Sequence, residues 1–381
     1  MPPIRFIHAA DLHLDAAFSG LSRDIPADFA ERLRTATFTA FRRLLDLCER
    51  ESPDFLLLAG DVYNQEDASV SAQLALRDGF RRLESLSIPV FLVHGNHDPL
   101  ASRLRSVRWP GNVTVFGELP DAVPVFRKGE GTPLAIIHGA SHASGRETRI
   151  LAALFRRTEA CGLHVGLLHA TPGDADGVAR YAPFSQEDLK ASGMDYWALG
   201  HIHDRREVCR EPLAAYPGCT QGLHINEPGE KGCLLVTAEA RPDGGYAVRT
   251  SFRPLGPAVW KTLDMELGGA ASLDELENRL RTGLDRAAAE VWSGCEMLLV
   301  RLRLQGRTEL DGLLRKGTTC AELADRLRED GSGVPRIWIK DIDVATRPCV
   351  ERGALLERED LLGEVFRLSE AARTASGLQA L

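Results

Sequence analysis

Long apolar runs are missing from this sequence. Nowhere do its 381 residues approach the stretch of about 18 apolar residues that a membrane-crossing helix needs, and no membrane partner is expected. The opening residues 1–11 lack the long apolar core and small-residue cleavage site of a secretory signal, so the expected location is the cytoplasm. Paired cysteines are missing as well. The eight thiols (Cys48, Cys161, Cys209, Cys219, Cys233, Cys295, Cys320, Cys349) are scattered, and no two are spaced as Cys-x-x-Cys. That pattern disfavours a zinc ribbon and a disulfide framework and leaves free, largely buried thiols. A basic excess is also lacking. With 46 Lys and Arg against 54 Asp and Glu the net charge is -8, so contact with a polyanion needs a local basic patch or a partner. There is no Gly-x-x-x-x-Gly-Lys-Ser/Thr phosphate loop, no internal repeat and no low-complexity tract.

What is present is ordinary globular material. Hydrophobic residues make up 44% and charged residues 26%, enough for one large core and a smaller one. Short apolar runs at 5–10, 55–58, 90–93, 134–137, 165–168 and 196–199 read as strands. Between the first three lie amphipathic stretches: 26–51, with Pro26 in a first helical turn and Phe29, Leu33, Phe41, Leu44, Leu45 and Cys48 at helical spacing, and 69–86, ended before Pro89. Alternating strands and helices imply a layered α/β domain. The rhythm then changes. Strands at 234–236 and 246–252, joined by Pro242-Asp243-Gly244-Gly245, read as an antiparallel hairpin. A strand at 263–267, a helix at 273–288 and strands at 297–304 and 337–344 form a smaller α+β unit. The Pro-rich segment 253–257 is the expected boundary, which gives domains of 1–255 and 256–345 and a helical tail of 346–381. In that tail Asp360 can cap a helix reaching about Ala372, with Leu361, Leu362, Val365, Phe366 and Leu368 in an apolar stripe.

Polar groups able to bind metal follow the strands in five places. Asp11 and His13 come after the first; Gly60-Asp61 after the second; Gly95-Asn96-His97-Asp98 after the third; His169 ends the run 165–168; and Gly200-His201-Ile202-His203 follows 196–199. The carboxyl ends of strands in an open α/β sheet converge on one edge, so five distant segments deliver these groups to one cleft. Any one of them alone reads as a turn or a satisfied core histidine. Five in series do not. Carboxylate, amide and imidazole ligands without cysteine suit Mn²⁺, Fe or Zn, and a metal pair can activate water and stabilise an in-line transition state without a covalent nucleophile from the protein.

The series DLH, GD, GNHD, a lone His and GHIH, over roughly residues 5 to 255, resembles the calcineurin-like metallophosphoesterases. The resemblance implies a layered fold of central β-sheets flanked by helices, with a smaller α+β capping domain after it. It also implies two divalent ions, Mn²⁺ first among the candidates. Asp11, His13 and His203 would hold one, Asn96, His169 and His201 the other, and Asp61 both; His97 matches the catalytic histidine. Asp98 is either a partner that orients His97 or a turn cap before Pro99. His8, His94, His138 and His142 fill no place in the pattern and read as supporting or core groups.

The opening IHAADLHL and the segment YPGCTQGLHINEPGEKG (216–232) are similar to SbcD-type and YhaO-type DNA repair exonuclease subunits. Such a resemblance implies DNA as substrate and an SbcC-like or YhaN-like SMC-type ABC ATPase as partner, gripped by C-terminal helices; a homodimer stays open. Asn64 departs from the histidine or acid that many DNA-end nucleases carry there. Arg103, Arg105 and Arg108 after GNHD, and Arg205 and Arg206 after GHIH, read individually as solvated surface and together as a rim that could hold phosphates. A cyclic-nucleotide phosphodiesterase or other small-molecule phosphatase would share every metal ligand, and the net charge favours it. A scaffold without catalysis fits the full ligand set poorly.

Overall fold

The computed structural model describes residues 2–374 apart from 22–24, 65–68, 103–106, 174–179, 243, 330–332 and 350–351. It divides into two compact units. The first comprises Met1–Lys261, Glu290–Leu299 and Gly333–Trp338; the second comprises Thr262–Ala289, Val300–Ser332 and Ile339–Leu381.

The first unit begins with β1 (Ile4–Ala9), α1 (Ala27–Arg34), α2 (Ala36–Glu51), β2 (Phe55–Ala59), α3 (Val70–Ser85), β3 (Val90–Val93) and β4 (Val113–Val115). It continues with β5 (Asp121–Val125), β6 (Ala135–Ala140), β7 (Leu163–His169), α4 (Gln186–Ala191), β8 (Tyr196–Gly200), β9 (Arg206–Arg210), β10 (Leu213–Tyr216), β11 (Gly232–Ala240) and β12 (Tyr246–Pro254). These strands form two six-stranded sheets, in the orders β12-β11-β1-β2-β3-β4 and β5-β6-β7-β8-β10-β9. β1 to β4 run parallel, as do β6, β7 and β8. The ligand-bearing strands therefore belong to two sheets rather than one.

Patterning explains how the sheets pack. Along β2 the run Phe-Leu-Leu-Leu-Ala is apolar throughout because both faces are covered, as expected for a central parallel strand. Phe55, Leu57 and Ala59 meet the second sheet's Ile137, Val165, Leu167 and Tyr196, whereas Leu56 and Leu58 meet Phe41, Leu44, Leu76 and Phe80 of α2 and α3. Phe6 of β1 stacks on Phe55 at 4.7 Å and meets Tyr196 edge-on at 5.5 Å, which ties the sheets together through aromatic contact.

The stretch expected as one helix over 26–51 is two, broken at Thr35. Phe29 and Leu33 of α1 join a cluster with Trp260, Met297 and Trp338, while α2 lies on the first sheet, and one straight helix cannot serve both faces. Ser69 caps α3 by accepting the Ala72 N–H at 3.1 Å. The hairpin runs further than its apolar runs suggest, pairing Gly232↔Pro254 through Ala240↔Tyr246.

Later elements are β13 (Ala258–Glu266), α5 (Leu273–Glu290), β14 (Met297–Gln305), the two-residue β15 (Arg307–Thr308), α6 (Asp311–Leu314), α7 (Thr319–Glu329), β16 (Arg336–Val344), the two-residue β17 (Arg347–Pro348), α8 (Arg352–Leu356) and α9 (Leu361–Thr374). β13, β14 and β16 make a three-stranded sheet. Within the second unit α5 buries Leu276, Leu280, Leu284 and Ala287, and Thr346 and Arg315 fix the buried Asp311 at the start of α6. Among the described residues, no helix is long and apolar enough to cross a membrane.

Gly166 of β7 lies against the indole of Trp197, where an added Cβ would stand 2.5 Å from a ring carbon. Because Trp197 is fully buried, Gly166→Ala should destabilise the protein by about 1–3 kcal/mol. The urea midpoint should fall at constant m-value, and an unchanged midpoint would show that the ring yields freely.

Candidate metal centre

The polar groups that follow the strands come together across the carboxyl ends of both sheets. Asp11, His13 and His203 form one cluster, and Asp61, His169 and His201 form another, each with candidate ligand atoms within 4.8 Å of one another. The backbone is forced into place locally. Asp11, His13, Asp61 and His201 all adopt positive φ, at 51°, 42°, 49° and 101°, a region side chains other than glycine rarely occupy and one that collects at functional sites. Backbone bonds from Asp11 N–H to Gly60 O and from His13 N–H to Asp61 O, both 3.1 Å, couple the first two loops. Close approach also demands missing side chains. A Cβ on Gly95 would stand 2.1 Å from Asp61 Oδ1, and one on Gly200 would stand 1.7 Å from the Ala59 carbonyl.

One histidine of the second cluster is oriented from behind by a backbone carbonyl. His169 donates Nδ1–H to the Ala59 carbonyl at 2.9 Å, which leaves Nε2 facing Asn96 Oδ1 at 3.1 Å and Asp61 Oδ2 at 3.3 Å. His201 Nδ1 lies 3.1 Å from the same Asn96 oxygen. In the other cluster His13 Nε2 and His203 Nε2 face each other at 3.1 Å, with Asp11 Oδ1 3.8 Å from His203. Asp61 Oδ2 is 3.9 Å from His13 and 3.3 Å from His169, so one carboxylate faces both clusters. Two ring nitrogens, each about 2.0–2.1 Å from one divalent ion, stand roughly 3 Å apart at right-angled coordination. The separations fit a pair of hard or borderline ions.

Burial and charge set the protonation of the ion-free centre. Burial pushes the Asp11 carboxyl up to about 6 despite the imidazoles of His169 and His203. The Asp61 carboxyl is driven the other way: burial opposes its charge, but His169 beside it overcomes that cost and holds the group well below the usual carboxylate range. His13 is lowered to about 3 by burial, so it is neutral and already able to act as a ligand.

His97 is exposed, stands perpendicular to the His13 ring at 5.1 Å, and is outside both clusters. It donates Nδ1–H to the Asn64 carbonyl at 2.8 Å, which leaves Nε2 available, and its backbone N–H holds Asp61 Oδ1 at 3.0 Å. Asp98 does not orient it. The buried Asp98 carboxylate accepts the amides of Gly95 (2.8 Å) and Val62 (3.0 Å) and lies 3.4 Å from His94 Nδ1. It is the turn cap, and orientation of His97 falls to the backbone of Asn64. His142 donates Nε2–H to the His169 carbonyl at 2.6 Å. His8 is a core group between the Tyr196 hydroxyl and the Leu199 carbonyl, and His138 bonds His164 at 2.9 Å.

Of the expected phosphate-holding arginines, Arg103 and Arg105 lie outside the described residues. Arg108 is exposed beside Leu74, Arg77 and Arg81 of α3. Arg205 and Arg206 are exposed before and at the start of β9, their guanidinium groups over the rings of Phe252 (4.1 Å) and Tyr216 (5.6 Å). Sequence reading missed Glu227, whose Oε1 is 2.6 Å from His203 Nδ1 and which forms a third cluster with His203 and Cys219. Burial opposes its charge, but His203 holds its carboxyl down to about 2. The one available signal was an acidic residue inside the family-like segment 216–232.

Comparison with known proteins now gives the class. Residues 4–205 match the calcineurin-like phosphoesterase model, and the chain belongs to that family. Residues 260–347 match the middle domain of metallophosphoesterase YhaO, which sets the chain in the YhaO-type branch. The metallophosphoesterase YhaO of Bacillus subtilis (strain 168) is 36% identical over 352 residues, covering 90% of this chain and 82% of that protein. The DNA double-strand break repair protein Mre11 of Aeropyrum pernix is 26% identical, covering 76% and 69%. That of Methanopyrus kandleri is 23% identical, covering 86% and 79%.

In the ion-free centre, burial opposes charge on His169, but Asp61, Asp11 and the Ala59 carbonyl raise its pKa to about 9. Below that pH the ring carries a proton that an entering ion must displace. Mn²⁺ uptake at pH 8 should therefore release a proton, and affinity should weaken by up to about tenfold per unit as pH falls further. Calorimetry in buffers of contrasting ionisation heat reads that proton. Uptake without release would place the ion away from His169.

Proposed function

We propose that this chain is a two-metal phosphodiesterase that cuts DNA, acting as the nuclease subunit beside an SMC-like ATPase in the cytoplasm. The observation that carries the reading is the Asp61 carboxylate facing both histidine clusters at once. In it Asp11, His13 and His203 hold one ion, Asn96, His169 and His201 the other, and Asp61 both. A bound pair of divalent ions supplies Lewis acidity toward a phosphodiester and its attacking water. Asp11 and Asp61 offset only part of the four positive charges, so the loaded cleft attracts an anion. His97, its Nδ1 fixed by the Asn64 carbonyl, presents Nε2 to give a proton or hydrogen bond to the leaving oxygen.

The DNA substrate rests on the Mre11 relatives, whose similarity extends beyond the catalytic unit. The partner rests on the tail. Asp360 caps α9 through the Gly363 N–H at 3.1 Å, and Leu361, Leu362, Val365 and Leu368 are more than half exposed on it. An uncovered apolar stripe on a capped helix fits docking to a partner helix. Eight unpaired cysteines suit a reducing compartment.

Metal-dependent digestion of end-labelled single- and double-stranded DNA, beside a cyclic-nucleotide control, tests the substrate class. In that assay Asp61→Ala should lose both ions and all hydrolysis. His97→Ala should keep near-normal metal by elemental analysis and lose on the order of a hundredfold or more in rate. Metal loss in the His97 variant would make it a ligand. Turnover of the cyclic nucleotide without digestion of DNA would replace the nuclease reading.

Deleting residues 350–381 should abolish co-purification with an SMC-like ATPase while leaving hydrolysis of a small chromogenic diester intact. A truncated protein that still binds the ATPase would move the interface elsewhere, and an insoluble one would show that the stripe serves the chain itself.

A further inference from the structure

The last histidine of the centre is held from behind by residues 216–232. The Cys219 N–H donates to the His203 carbonyl at 3.2 Å. Lys231, only 5% exposed, donates Nζ to the same carbonyl at 3.0 Å and pairs with Asp204 at 2.8 Å. These contacts fix the backbone of His203. Its ring is fixed by Glu227, whose Oε1 meets Nδ1 at 2.6 Å while Oε2 accepts the Leu223 N–H at 2.7 Å. Both carboxylate oxygens are committed, so the group cannot rotate without losing a bond.

We propose that Glu227 is a positioning residue of the metal centre, holding His203 with its proton on Nδ1 and its Nε2 lone pair directed at the ion shared with His13 and Asp11. The inference rests on the two-metal reading. A neutral imidazole has one proton and two tautomers of similar energy. Without an acceptor at Nδ1, the proton can sit on Nε2, where it would point at His13 Nε2 only 3.1 Å away and block coordination. A carboxylate acceptor removes that alternative and makes Nε2 more basic, as behind many metal-bound histidines. A plain loop brace accounts for less. The Leu223 amide needs one oxygen, whereas the second makes a short, charge-assisted bond to the ring. A third ion among His203, Cys219 and Glu227 also fits less well, because 2.6 Å is a hydrogen-bond separation and shorter than the roughly 3 Å expected of two ligands at right angles on one ion.

The test is Mn²⁺ binding to the full chain, by calorimetry and elemental analysis, for wild type, Glu227→Gln, Glu227→Ala, His203→Ala and the double variant Glu227→Ala/His203→Ala. Wild type should take up two ions. Glu227→Ala should weaken one of the two sites by about 10–100-fold, and Glu227→Gln, which still accepts from Nδ1–H, should lose less. In the His203→Ala background Glu227→Ala should change nothing further, since it acts through that ring. Unchanged affinity in the isosteric Gln variant and in the Ala variant would overturn the proposal, as would losses that add in the double variant. Wild-type protein that binds fewer than two ions would overturn the two-metal reading itself, a result visible before any variant is compared.

Discussion

The Asp61 carboxylate is the constraint around which the first unit is organised. It must lie within reach of His13, from the loop after β1, and of His169, from the end of β7, and those strands belong to different sheets. An ionised carboxylate out of water is costly unless paired. Here the compensation comes from the His169 imidazole on one oxygen and from the His97 amide on the other. That requirement explains features otherwise without purpose. Four residues of the centre accept positive φ, and Gly95 and Gly200 stand where any side chain would meet a neighbouring oxygen. The edge-on contact of Phe6 with Tyr196 joins the two sheets beneath this arrangement.

Much of the centre was legible in the sequence because its signals are local. A strand that ends in Gly-Asp or Gly-Asn-His-Asp announces itself within a few residues, and the apolar run of β2 marks a strand covered on both faces. The division into two sheets was not legible in the same way, since β11 pairs with β1 and β10 with β8 across long separations. The break at Thr35 depends on two cores that only folding defines. Asp98 was ambiguous on paper, and local geometry decided it: a short carboxylate in a turn reaches the Gly95 amide three residues back before it reaches the ring of its neighbour. Glu227 left little trace because its meaning lies in a partner 24 residues earlier, across β9 and β10.

The buried clusters and the exposed groups of the chain differ in what they can recognise. Buried side chains of the centre would serve any phosphodiester, and a net charge of -8 gives DNA no general attraction. The exposed groups, among them Arg205 and Arg206 over aromatic rings and the apolar stripe of α9, lie outside those clusters. Such groups leave weak traces in a single sequence, since surface arginines and apolar stripes are common.

The first unit is not one continuous stretch. Phe29 and Leu33, near the start of the chain, are covered partly by Met297, Leu299 and Trp338, and Trp338 arrives only after more than half of the second unit has been made. On the ribosome, the catalytic unit therefore waits with an apolar flank open until Trp338 emerges, and a nascent chain in that state is a natural client for a chaperone.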